Sequence, residues 1–329
     1  MRIVNGARRF ALAAVGLLAT TVLAAACGGG SDGGGGDDPT AGFELAAEVA
    51  SFDLAIDRDE RFTIGFFAAD NRVLAYGDIT LRFAFAGTAD APRQESTPGP
   101  PVEATFLPVA GQGVDPDHPG PELVAPSEAR GVYGADGVRF DDAGNWVVAA
   151  EGEYDGRDFE VQAAFQVKAE SQVVAVGDPA PRTQNPLPGA LDVPPIALDS
   201  RADNGEFPDP ALHSTTIADA LAGGRPVVVV VSTPVYCVSR FCGPITDSVD
   251  ELADEYGDRV AFVHLEVWGD FENQVVNPAA REWIFPRDGS DAREPWVFVI
   301  GADGVVQARF DNVATDAELR AAVEAVAGG

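Results

Sequence analysis

Through the first half of the chain, apolar and polar residues alternate in short runs. Phe62–Phe67, Ile79–Phe85, Trp146–Ala150 and Phe159–Phe165 are β-rich, and the second and fourth alternate for much of their length, which predicts strands with one buried face. Turn signals separate them: Ala69-Asp70-Asn71, Asp141-Asp142-Ala143-Gly144-Asn145, and Tyr154-Asp155-Gly156-Arg157, whose Asp-Gly pair suits a tight hairpin. No helix of useful length interrupts these runs. The Pro-rich stretch from Ala91 to Pro126 predicts a long inter-strand excursion around Val102 to Val109. Six or seven short strands over residues 41–171 predict an all-β, two-sheet sandwich.

Between Gln172 and Pro210 the prolines multiply (Pro179, Pro181, Pro186, Pro188, Pro194, Pro195) and periodicity is lost, so 172–210 reads as a linker and lead-in to a second domain. From about residue 211 helix and strand alternate. Thr215–Ala222 reads as a short helix ended by Gly223-Gly224. Val227–Val231 is a continuous β-branched run of the kind a strand needs when both its faces are covered. Ile245, Val249, Leu252 and Ala253 sit at helical spacing within Pro244–Tyr256. Val260–Val267 is a second central strand, Trp296–Ile300 and Val305–Phe310 form a hairpin across Gly301–Gly304, and Asp316–Ala327 is a closing helix. The order is β, α, β, then helix or loop, then β, β, α.

Charge narrows the function classes. Twenty-two Lys and Arg stand against 52 Asp and Glu, a formal −30, so phosphate backbones and anionic lipid headgroups would be repelled and nucleic-acid binding through a basic face is excluded. Hydrophobic residues at 46% leave ample material for packed cores and exclude wholesale disorder.

The first 26 residues read as an address. Arg2, Arg8 and Arg9 precede the uncharged run Phe10–Ala26, and Ala24-Ala25-Ala26 brings small residues up to Cys27. This resembles a bacterial lipoprotein signal, with Ala24 where that family usually has Leu. The resemblance implies cleavage after residue 26, lipidation of Cys27, and a Gly- and Asp-rich tether over residues 27–40. The plainer alternative is an uncleaved transmembrane anchor. Either places the remainder on the extracytoplasmic face of a cell membrane. With Cys27 lipidated, Cys237 and Cys242 remain, an even pair in an oxidising compartment and therefore one able to form a disulfide.

The strands of residues 41–171, above all from Gly144-Asn145-Trp146 through the following hairpin, resemble bacterial immunoglobulin-like modules of exported proteins. The second half, with Cys242-Gly243-Pro244 at the mouth of the helix that follows the first central strand, resembles a thioredoxin-like α/β domain. We place that domain at 211–329, with the resemblance reaching back to about residue 176. Arg293-Glu294-Pro295 before Trp296 stands where that family places a cis-proline facing the active-site cysteines, which implies that Pro295 presents its backbone to a substrate strand. The chain departs from the family in one respect: Ile245 occupies the place of the usual second cysteine, and the available partner is Cys237, five residues upstream. A thiolate at a helix N-terminus is stabilised by unpaired N–H groups and the helix dipole, so Cys242 is expected to attack and Cys237 to resolve, with Arg240 adding positive charge nearby.

Three readings of the pair stay open: a membrane-anchored thiol-disulfide oxidoreductase acting on exported protein thiols or disulfides, a non-catalytic binding module pinned by a structural disulfide, and copper delivery of the Sco type. Sco proteins add a distant histidine, whose position His264 does not match. A peroxiredoxin motif is missed by one residue across Pro234, Ser239 and Cys242. His264, on one strand face with Phe262 and Glu266, reads as a core histidine or an auxiliary proton carrier. His118 and His213 read as loop bystanders, and Trp268 and Phe271 as strand-end packing or a partner groove. No cofactor and no set of metal ligands is assigned.

Overall fold

A computed structural model describes residues 45–93, 96–113, 115 and 118–328. The signal segment, Cys27 and the tether lie outside these residues. No helix among the described residues is long and apolar enough to cross a membrane. All of them belong to one compact unit, which is rich in β-structure and contains four α-helices among the described residues.

The first half consists of β1 (Leu45–Val49), β2 (Glu60–Ala68), β3 (Val73–Ala75), β4 (Asp78–Gly87), β5 (Val102–Pro108), β6 (Glu122–Val124), β7 (Gly131–Val138), β8 (Gly144–Tyr154) and β9 (Arg157–Val167). Two hydrogen-bonded sheets were expected, but the strands join into one antiparallel sheet in the order β6-β3-β2-β7-β5-β4-β8-β9, with β1 added to β2. The difference has a physical cause. Alternation tells which face of a strand is buried but not which strand lies beside it, and β2 pairs with β1, β3 and β7 along its length, so the ladder never breaks. The sheet curls around a single core of Phe62, Ile64, Phe66, Leu81, Tyr133 and Phe140. That curl brings β1 alongside β9, whose alternating Val161, Ala163 and Phe165 meet the same core. The Pro-rich excursion contributes β5, an interior strand between β4 and β7. Asp155 and Gly156 both take positive φ (52° and 72°), as a type I′ hairpin between β8 and β9 requires.

In the second half β10 (Val227–Ser232) pairs parallel with β11 (Ala261–Glu266) and antiparallel with β14 (Trp296–Ile300), which in turn pairs with β15 (Val306–Asp311). Side chains alternate across this sheet. Val227, Val229 and Val231 pack with α1 (Ile217–Ala222) and α3 (Pro278–Ile284), while Val228 and Val230 pack with α2 (Cys242–Tyr256) and α4 (Asp316–Ala327). Helices on both faces explain the unbroken valine run. A two-strand ribbon, β12 (Trp268–Asp270) and β13 (Val275–Val276), lies between β11 and α3. Neither it nor α3 was specified by the sequence reading.

The segment 172–210 is packed against this sheet. Val173, Val174 and Ala180 belong to the α1/α3 core, and Pro179 bridges to Val305. The two halves are joined by buried charge. Arg309 Nη1 donates to Asp53 Oδ2 at 2.8 Å and Nη2 to the Asp53 carbonyl at 2.8 Å. Arg61 grips Glu318 through Nε at 2.8 Å and Nη2 at 3.2 Å, and the Phe52 amide donates to the Asp311 carboxylate. Glu318 also completes a capping box with Thr315 that fixes the start of α4.

Candidate functional site

The C-terminal ends of β10 and β11, the start of α2 and the residues before β14 converge at one edge of the four-stranded sheet. Register explains the convergence: Val231 pairs with Trp296, so Glu294-Pro295 lies beside the point where β10 gives way to the loop 233–241. That loop is tied back by the Cys237 amide to the Thr233 carbonyl (3.0 Å) and the Val235 amide to Ser200 Oγ (3.1 Å). It then enters α2 at Cys242. Pro244, in the first turn, lacks an N–H that would have no intrahelical partner there anyway.

Cys237 and Cys242 form a disulfide, with Cα atoms 6.1 Å apart. The two sulfurs are unequally placed. Cys242 is 0% exposed at the helix N-terminus, whereas Cys237 is half-buried on the loop, with its Sγ 3.3 Å from Ser239 Oγ. Of the two sulfur-bearing residues, Cys237 is the one open to solvent. The helix-mouth position expected for Cys242 is present, and the spacing that gave it carried no information on the burial of its sulfur. Arg240 is exposed on the loop, with φ at 63°. The Glu294–Pro295 peptide is cis.

Glu294 was not singled out from sequence. A carboxyl oxygen of this residue and the two sulfurs lie within 4.8 Å of one another. Burial raises the proton affinity of Glu294 above the ordinary glutamate value, and the nearby charge of Glu266 adds to the effect. Its place immediately before the expected cis-proline was the available signal. Around the outer sulfur the surface is apolar: Val238 is 95% exposed, Val235 55% and Phe271 43%. Phe271 stacks on Tyr236 with centroids 3.9 Å apart and meets Trp268 edge-on, so these aromatics flank the cysteine loop.

His264 does not reach the sulfurs. Its Nε2 lies 3.0 Å from Ser232 Oγ, which lies 2.7 Å from Thr246 Oγ1, which donates at 2.7 Å to the carbonyl of Cys242. His213, expected to be a bystander, is buried beside His264 with ring centroids 5.4 Å apart. His118 stacks on Tyr76 in the first half, with its Nε2 3.0 Å from Glu122 Oε2. An open cleft of about 720 Å³ runs along β1 and β9 to Arg293 and Trp296, and neither the cysteines nor Glu294 line it. No protein-family model matches the chain, and no curated protein matches it.

Proposed function

We propose that the chain is a lipid-anchored, extracytoplasmic thiol-disulfide oxidoreductase whose second half is a thioredoxin-like domain. The observation that carries this reading is the asymmetry of the disulfide, in which one sulfur is reachable on an apolar loop and the other is buried at a helix N-terminus beside a carboxyl group. A substrate thiolate attacks Cys237 Sγ and the sulfur–sulfur bond breaks. The electron pair leaves on Cys242, where the helix dipole and free N–H groups favour a thiolate. A second substrate thiolate then attacks the mixed disulfide. The substrate gains a disulfide, the protein pair is left reduced, and the reverse sequence reduces a substrate disulfide. Glu294 is placed to take up or release the proton, and Val235, Val238 and Phe271 offer an apolar surface to an extended protein segment.

Copper delivery is less well supported, because the third group near the sulfurs is a hard carboxylate oxygen, whereas soft ligands select copper(I). The alternative of a binding module with a permanent disulfide is separated by one measurement, a redox titration of the full chain against glutathione. A potential between about −270 and −120 mV supports turnover, and one below about −300 mV indicates a structural bond.

A further inference from the structure

Behind Cys242, on the far side of Thr246 and Ser232, lies a second cluster that the redox chemistry does not use. Asp199, Asp209, His213 and His264 are all buried, and one ligand atom from each lies within 4.8 Å of the others. Their side chains are at most 3% exposed. Asp199 and Asp209 come from the segment between the halves, and Asp209 precedes the short 3-10 turn Pro210–His213 that carries the first histidine. His264 comes from β11.

Hydrogen accounting shows what the cluster lacks. Thr246 Oγ1 has one hydrogen and donates it to the Cys242 carbonyl, which can only accept. In the contact between the two hydroxyls, Ser232 must therefore be the donor, and its single hydrogen is spent. Ser232 Oγ can then only accept from His264 Nε2, which also faces the Ser232 carbonyl at 3.3 Å. His264 thus carries its proton on Nε2, and in the neutral ring Nδ1 presents a bare lone pair to Asp199 Oδ2 at 3.4 Å. His213 Nε2 faces Asp209 Oδ1 at 3.3 Å and Asp199 Oδ2 at 3.6 Å. Three of these four atoms, His264 Nδ1, His213 Nε2 and Asp209 Oδ1, are buried without a hydrogen-bond partner. Buried polar atoms left without partners are costly, and a cation among them would supply the missing partner to all at once.

Three of the six ligand–ligand distances, 3.3, 3.4 and 3.6 Å, match those around a tetrahedral ion, and the other three are within 4.8 Å. A tetrahedral ion about 2.0–2.2 Å from each ligand holds those ligands about 3.3–3.6 Å apart. We propose that Asp199 Oδ2, Asp209 Oδ1, His213 Nε2 and His264 Nδ1 form a closed tetrahedral site for a divalent transition metal ion of the zinc type. Nitrogen and carboxylate donors in that number suit zinc. The outer groups are those such a site requires. His264 Nε2 is held by Ser232, and Arg201 holds both carboxylates through the oxygens or lone pairs the ion leaves free. Its Nε donates to Asp199 Oδ1 at 3.1 Å, and its Nη2 donates to Asp199 Oδ2 at 2.8 Å and to Asp209 Oδ2. Four protein ligands in a buried site leave no open position, so the ion's role is structural, tying the 199–213 segment to β11.

The test loads the chelator-stripped full chain with Zn²⁺ and with Co²⁺. We expect one ion per chain, a rise in the thermal midpoint, and visible Co²⁺ d–d bands of a tetrahedral site without the intense near-ultraviolet bands of thiolate ligation. His213→Gln and Asp209→Asn should each lower zinc affinity by more than about 100-fold, while Cys237→Ser/Cys242→Ser should bind as the parent does. The wild-type stoichiometry and spectrum stand even if a ligand variant fails to fold. Absence of binding by the wild-type chain, or binding abolished by the cysteine substitutions and kept by the other two, overturns the proposal.

Discussion

A carboxyl oxygen of Glu294 lies within 4.8 Å of the Cys242 sulfur, in the same partly buried corner that holds Cys237. Burial and the charge of Glu266 raise the folded-state pKa of Glu294 above its ordinary 4.5. The folded protein therefore binds this proton more tightly than the unfolded chain. The resulting stability is full below the unfolded pKa and is lost as pH rises through the folded value. Glu294→Gln should remove that slope from a pH series of denaturant melts. It should also slow thiol-disulfide exchange by about 100-fold and erase an inflection above pH 4.5 in the rate profile. An unchanged profile would show that Glu294 carries no proton for the reaction.

Because the reachable sulfur is Cys237, Cys242→Ser should accumulate mixed disulfides with exported proteins and Cys237→Ser should trap few. Non-reducing gels followed by mass spectrometry of the linked peptides read this directly. The opposite pattern would restore Cys242 as the attacking thiol.

Arg309 and Asp53 are each at most 9% exposed in their side chains, and they join the β-rich half to β15. Arg309→Ala leaves the buried Asp53 carboxylate with Ser171 Oγ and the Gln172 amide but without its charged partner, and should cost about 3–5 kcal/mol, measured by urea denaturation. A loss under about 1 kcal/mol would mean that the junction is wet and weak, as exposed ion pairs are.

The proposed lipid anchor rests on the sequence of residues 1–27, with Cys27 as the acceptor. Expression in a bacterium with a labelled fatty acid should label the wild-type chain and leave Cys27→Ser unlabelled; equal labelling of both would dispose of the anchor.

What the sequence made legible followed from periodicity. The valine run at 227–231, the helical spacing from Ile245 to Ala253 and the alternation within Phe159–Phe165 each report a burial pattern that local residues determine. Helix α3 went unspecified although its signals were there: Asn277 caps it by accepting from the Ala279 amide, and Pro278 fills the first helical position. The pairing of β1 through β9 into one curled sheet depends on partners far apart in the chain, which alternation does not encode. The same limit hid the buried histidines. His213 and His264 are 51 positions apart, and only the fold of the segment between Gln172 and Pro210 brings Asp199 and Asp209 to them. Asp209 and His213, four residues apart on one turn, were the only local hint.

Thr246 and Ser232 form a partition two hydroxyls thick between the helix that bears the disulfide and the pocket behind it. Each hydroxyl owns a single hydrogen and the row ends on a carbonyl that can only accept, so the direction of donation is fixed along its whole length. Such a row ends on the backbone carbonyl of Cys242 and joins it to His264 through two hydroxyls. If the proposed cation changes the redox equilibrium of Cys242 by some factor, the redox state changes the cation's affinity by the same factor. Measuring the potential with the proposed site loaded and stripped would therefore also measure, with no further experiment, any effect of reduction on the affinity for the ion, and equal potentials would show that the two sites act independently.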